Sequence, residues 1–213
     1  MSRDPLRAAT QFFGGRVCLD FGNTLDWRTS DDPQELIPDY AAFLGWCARR
    51  GIMSASAVEG LISADKREPS AGAAALAELV SLRQDIWKIC DALRGNRQPD
   101  LGLVNELLSQ APPQPGLVGR GGVFLHDLPG RDVREPLWPL LWSLSAVLTS
   151  TDAGRIGCCQ ATGCGWFYVD ESPNRTRLWC SSEVCGNRER ARRAYTKRRK
   201  ENPPKAARPR QRK

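Results

Sequence analysis

The chain has 213 residues, 41% of them hydrophobic, with seven Trp and a formal net charge of +7. That length holds one ordinary domain plus a small module, and the composition excludes wholesale disorder. No stretch approaches the unbroken apolar run of about 20 residues that a membrane helix needs, so no membrane partner is expected.

Phe12-Phe13-Gly14-Gly15 reads as a turn, and Val17 to Phe21 as a short apolar strand. Gly22-Asn23-Thr24 follows as a turn or cap. Asp20, Asn23 and Thr24 have two readings, the lining of a ligand pocket or plain turn and cap residues. A helix is expected over 38–50, with Tyr40, Phe43, Leu44 and Cys47 at helical spacing and Gly51 as its stop. Ser54 or Ser56 caps a short helix that ends near Lys66.

The longest helix is predicted over 70–94, where Leu79, Leu82, Ile86, Ile89 and Leu93 form one stripe before Gly95. Another covers 100–110 and stops at Pro112-Pro113. Residues 116–128, built around Gly119 to Gly122, predict a β-hairpin whose arms pair with the strand over 17–21. A strong helix over 135–150 carries Leu137, Leu140, Leu141, Leu144, Val147 and Leu148 along one face. On it Trp138 and Trp142 lie one turn apart, as core or as a dimer face. The single histidine, His126, has no partner at a recognisable spacing, and no nucleophile elbow, P-loop or dinucleotide motif occurs. No catalytic residue, and no enzyme, is expected.

Near the C-terminus four cysteines stand in two pairs, Cys159-x4-Cys164 and Cys180-x4-Cys185, fifteen residues apart. Two short cysteine turns facing each other supply the four soft ligands of one tetrahedral zinc ion. Gly163, Gly165 and Gly186 suit the tight knuckles this requires. Four thiolates close the coordination shell, so the zinc role is structural. The N-terminal Met-Ser-Arg-Asp-Pro-Leu-Arg lacks an apolar signal core, so a cytoplasmic setting with reduced or metal-bound thiols is expected. Cys18, Cys47 and Cys90 read as core and Cys158 as a bystander. Phe167, Tyr168 and Trp179 either pack around the metal or stack on bases, and Asp170 is expected to pair with Arg175 or Arg177.

Charge divides the chain sharply. From Pro173 onward fifteen Lys and Arg face three acids, giving +12, while the remainder carries 16 bases against 21 acids, giving −5. A basic helix is predicted from near Cys185, with Ala191 and Ala194 keeping it slim enough for a groove of about 12 Å. The expected nucleic-acid contacts are Arg175, Arg177, Asn187, Arg188, Arg190, Arg192, Arg193, Lys197, Arg198, Arg199 and Lys200.

The stretch Cys159 to Cys164, Gly165-Trp166-Phe167-Tyr168-Val169-Asp170-Glu171-Ser172, Asn174-Arg175, Arg177, Trp179-Cys180-Ser181 and Cys185-Gly186-Asn187-Arg188 resembles the CGNR zinc-finger family. Gly15 to Thr24 resembles the opening of the ABATE domain usually attached to it, described as a stress-induced transcription regulator. The resemblance implies a bacterial transcription regulator with a sensory or oligomerising N-terminal domain. Cys158 departs from the motif, as a second thiol able to compete for the metal.

The expected fold is mainly α (α+β). A helical domain with a small antiparallel sheet spans 1–151, a four-cysteine zinc module with its basic helix 152–200, and a disordered basic tail 201–213. The expected function is DNA-binding transcription regulation, with double-stranded DNA as partner and a homodimer and small-molecule effector as further candidates. RNA binding or ribosome association is the first alternative and predicts exposed Trp166, Phe167 or Trp179. A ligand-binding protein or enzyme acting through the N-terminal domain is the second and predicts a deep pocket near Asp20 and Asn23.

Overall fold

The computed structural model describes residues 11–120 and 122–201, so nearly all of the expected basic tail lies outside the described residues. In chain order the elements are α1 (Val17–Gly22), β1 (Leu25–Asp26), β2 (Gln34–Glu35), α2 (Tyr40–Arg50), α3 (Ala55–Arg67), α4 (Pro69–Arg94) and α5 (Gly102–Gln110). There follow β3 (Leu117–Arg120), β4 (Val123–His126), α6 (Leu137–Leu148), a 3-10 turn (Thr151–Arg155), β5 (Ile156–Cys158) and β6 (Phe167–Val169). A π-helical turn (Ser182–Gly186) and α7 (Asn187–Glu201) complete the order.

The predicted helices form, and their caps show why they start and stop where they do. The Asp39 and Ser54 side chains accept from Ala42 N and Ala57 N, satisfying amides that the first turns of α2 and α3 leave free. Gly51 ends α2 in the left-handed region at φ 69°. Pro69 stands at the first turn of α4, where its missing N–H costs nothing.

The segment over 17–21 is a helix, not the expected strand. Cys18, Leu19, Asp20, Phe21 and Gly22 are all buried, and a short apolar run buried on every side has no period to separate strand from helix. The Trp87 indole donates to Gly22 O at 2.7 Å, and a Cβ on Gly22 would meet Ile86 at 3.2 Å, so α1 lies directly against α4. The hairpin β3–β4 forms in the register Leu117↔His126 to Arg120↔Val123, but it pairs with itself and leaves Leu117 and Phe124 exposed. Among the described residues the sheet structure is three separate two-stranded antiparallel ladders, β1–β2, β3–β4 and β5–β6.

Two cores meet at β6. Phe167 and Val169 join the main core with Leu19, Phe21, Leu82 and Ile86, whereas Trp166 and Tyr168 pack around the four cysteines with Phe13, Leu36 and Trp179. A strand presents alternate residues to opposite faces, and here both faces are covered. Asn23 fixes the strand's position. Its amide donates to Phe167 O and its carbonyl accepts from Phe167 N, both at 2.8 Å and both buried. Val169 N donates to Gly14 O at 3.0 Å, and Arg16 pairs with Asp152 and Glu171 at 2.7 and 3.0 Å.

Replacing Asn23 with Ala leaves two buried peptide groups without a partner, each costing about 1–3 kcal/mol. Asn23→Ala is expected to lower unfolding stability by about 2–4 kcal/mol. Far-UV circular dichroism and Trp fluorescence should report one shared denaturation midpoint, because the strand belongs to both cores.

Candidate metal centre and the helix it launches

Each cysteine pair sits on a knuckle held by backbone hydrogen bonds. Cys159 N donates to Trp166 O at 2.8 Å and Cys164 N to Ala161 O at 2.9 Å, closing the first turn. Gly163 and Gly165 adopt φ 79° and 67°, where a side chain would be strained and would also strike Trp27 or Thr29. In the second knuckle the Ser181 hydroxyl accepts from Val184 N at 3.2 Å, and Gly186 N donates to Ser181 O at 3.0 Å.

Cys159, Cys164, Cys180 and Cys185 are buried, and their four Sγ atoms lie within 4.8 Å of one another. Three of the separations are 3.8, 3.5 and 3.7 Å, for Cys164–Cys180, Cys180–Cys185 and Cys164–Cys185. A tetrahedron with metal–sulfur bonds of about 2.3 Å has an edge of about 3.8 Å, so these spacings fit a four-thiolate zinc shell. A disulfide would need about 2.05 Å. Hydrogen bonds from Cys164, Cys180 and Cys185 drive the Cys159 thiol far down, while the bond to Cys159 drives Cys164 far up. Without a cation, thiols this close cannot all ionise, which is the property of a soft-metal donor set.

Cys158 turns away. As the neighbour of Cys159 on an extended chain it points to the opposite face, where its thiol faces Gly165 O at 3.4 Å and packs on the main core. Cys18, Cys47 and Cys90 are buried in that core, where burial pushes the Cys18 thiol up to about 11.

The N-terminal segment clasps the first knuckle. Thr29 N donates to Gly163 O at 3.2 Å, and Arg28 donates through Nε and Nη2 to Gly165 O at 3.0 and 2.8 Å. The Arg28 guanidinium also lies 4.5 Å from the centre of the Phe167 ring. Arg177 braces the other side. It donates to Val169 O, Trp179 O, Phe13 O and Cys180 O, and stands 4.2 Å over the Tyr168 ring. Its guanidinium, expected at a nucleic-acid surface, is instead committed to carbonyls of the module.

Asp170 orders the loop differently from the expected arginine pairing. It accepts from Ser172 N, the Ser172 hydroxyl and the backbone N of Arg177. Burial would raise its carboxyl, but these hydrogen bonds prevail and hold it below the ordinary carboxylate value. Arg175 is exposed, with Nη1 3.5 Å from Gly154 O.

Helix α7 starts two residues after the fourth cysteine. Asn187 accepts from Arg190 at 2.5 Å, and Arg190 also donates to Ser182 O at 3.1 Å. Arg188 is half-buried with its guanidinium 4.1 Å over the Trp27 ring. Glu189, which the charge pattern gave no reason to single out, is 3% exposed and ties the helix to the first knuckle. It accepts from Thr162 N at 3.0 Å and from Arg192 Nε at 2.9 Å. Burial would raise its carboxyl, but the Thr162 and Arg192 contacts prevail and lower it. From Arg190 to Lys200 every residue is exposed, including Arg192, Arg193, Lys197, Arg198, Arg199 and Lys200.

Asp20, Asn23 and Thr24 are buried and employed within the fold. Asp20 accepts from Gly14 N and Arg50 Nε, both at 2.8 Å. Thr24 donates to Phe21 O at 2.8 Å and accepts from Arg83 at 2.9 Å, while Asn23 holds Phe167. Trp166 and Phe167 are buried and Trp179 is half-buried. The His126 ring lies edge-on to Trp142, 4.9 Å between centres.

Residues 15–151 match the family model named ABATE, described as a putative stress-induced transcription regulator. Residues 155–199 match the CGNR zinc finger. No curated protein matches the chain.

Replacing Cys164 or Cys185 with Ser is expected to abolish stoichiometric metal and to lower the unfolding temperature, whereas Cys158→Ser should keep both. Metal content by inductively coupled plasma mass spectrometry and a thermal melt check this. Retention of metal by Cys164→Ser would overturn the ligand assignment.

Proposed function

The chain belongs to the ABATE family, whose description is a putative stress-induced transcription regulator, and from that premise we propose that it is a zinc-dependent DNA-binding regulator. In this reading one structural Zn2+, held by Cys159, Cys164, Cys180 and Cys185, aims α7 at duplex DNA in a bacterial cytoplasm. The helical domain supplies dimerisation or senses an effector, and the protein catalyses no reaction.

The observation that carries the proposal is the state of α7. From Arg190 onward α7 is exposed on every face and gains nothing from tertiary packing. Its charges are nearly all of one sign, so it repels itself until phosphates neutralise it. Only its base is anchored, by Arg188 on Trp27 and by Glu189 on Thr162. Fifteen residues span about 22 Å, and a helix about 10–12 Å wide fits a major groove of about 12 Å. Arg192, Arg193, Lys197, Arg198, Arg199 and Lys200 are the proposed contacts with backbone and base edges, and Arg188 and Arg177 act from behind as positioning residues. One helix reads few bases, so a second copy on a neighbouring half-site is part of the proposal.

One observation favours single-stranded nucleic acid. Tyr195 is 66% exposed in the middle of the basic helix, where it could stack on an unpaired base. The burial of Trp166 and Phe167 supports the duplex reading.

Binding to duplex DNA across a salt series is expected to give a log–log slope of about −5 to −7, as for six to eight neutralised phosphates. The variant Lys197→Gln/Arg198→Gln/Arg199→Gln/Lys200→Gln should flatten that slope by about 3–4 with metal content unchanged. Equal slopes for the two proteins would sink the proposal, and a clear preference for single-stranded RNA that Tyr195→Ala removes would replace it. Glu189→Gln should weaken duplex binding while the metal stays. Because the Glu189 carboxyl is held low, its tie to Thr162 should persist through the ordinary glutamate range and fail only as pH falls below it. An amide-exchange profile of α7 taken across acid pH reads that loss.

A further inference from the structure

A cleft of about 210 Å³ lies between the C-terminal end of α4 and the metal module. Its lining includes Arg94 from α4, Arg155 at the end of the 3-10 turn, and Arg175 and Arg177 from the loop after β6. Asp170 is the one carboxylate in the lining among the described residues, and its oxygens are already occupied by Ser172 and the Arg177 amide. Arg177 is committed to carbonyls and to the Tyr168 ring. The other three guanidiniums keep unused donors, although Arg94 is also paired with Asp91.

Each of those three carries five N–H donors. Among the described residues Arg94 gives one to Asp91 at 3.3 Å, Arg155 one to Asp170 O at 3.3 Å, and Arg175 one to Gly154 O at 3.5 Å. All three bonds are long, so the donors stay free to turn inward. A Cβ at Gly157 would strike the Tyr168 ring at 2.4 Å, so the wall of the cleft packs directly on that ring only because the residue is glycine. Three guanidiniums with unused donors around a small concave space, Arg94 in an ion pair with Asp91 and Asp170 already satisfied, form a site of net positive charge. Arginine forks match the oxygens of a phosphate group in bidentate geometry.

We propose that this cleft binds a small anion of the phosphate class, either free phosphate or the phosphate group of a small monoester. Its volume lies below the about 300–1,000 Å³ of sites for larger organic ligands, so a phosphate with a few further atoms fills it. The anion is gripped from both sides of a joint, by Arg94 on the long core helix and by Arg155 and Arg175 flanking the metal module. Its binding therefore stiffens the module against the helical domain.

The test uses the full-length, metal-loaded protein at constant ionic strength maintained with chloride. Inorganic phosphate and glycerol 3-phosphate are titrated by calorimetry and by thermal shift. The expected result is saturable binding of at least one of them, and which one binds separates the two sources. Arg94→Gln/Arg155→Gln should weaken that binding at least tenfold while metal content and the melting temperature in chloride stay unchanged. Should the double variant lose metal, Arg94→Gln alone, at an exposed helix end, serves with the same expectation. No saturable binding by the wild type, or equal affinity in the variant, overturns the proposal. So does a variant that loses duplex affinity when the wild type binds neither phosphate compound, since the cleft would then be a DNA-backbone contact. The duplex salt slope set by α7 is a separate measurement, so failure of either reading leaves the other standing.

Discussion

The amide of Asn23 grips the peptide of Phe167 from both sides, and the placement of the whole metal module follows from that grip. Strand β6 carries Phe167 and Val169 on one face and Tyr168 on the other, so fixing its backbone sets the depth of the main core and of the cysteine cluster together. Both partners are buried, and water cannot substitute for either one. The clasp of Arg28 on Gly165 O and the brace of Arg177 then add directional contacts around a strand already in place. The four thiols meet because their two knuckles are seated on that strand and on the loop Arg177 holds.

Charge is arranged around the same frame. Two acids of the module are turned inward, Asp170 onto backbone amides and Glu189 onto Thr162. They organise loops, and only Arg192 of α7 is paired with one of them. Past Glu189, where the packed region ends, the helix projects as a rod of fixed direction with a large excess of positive charge. A flexible basic tail would carry the same charge with no direction at all.

Much of this was legible in the sequence, for reasons that differ by element. The four-cysteine cluster follows from spacing, because a pair of cysteines with four residues between them closes a knuckle locally. Helices α2 to α6 follow from apolar periodicity and from caps such as Asp39, Ser54 and Gly51. Helix α1 was illegible because burial on all sides erases its period. The contacts across residue 151 were illegible for another reason: Asn23 and Phe167 are 144 residues apart, and no local pattern pairs them. Arg177 reads as one more base in a basic run. Only its surroundings show that its guanidinium is spent on carbonyls.

Sharing β6 between two cores also sets an order of assembly during synthesis. Chains generally fold from the N-terminus as they emerge from the ribosome. Here the helical segment emerges with the seats of Phe167 and Val169 vacant and with Asn23 lacking its partner. Completion of its core must await the segment that also carries the cysteines. The nascent chain thus reaches its final packing only once the segment that carries the four cysteines has emerged.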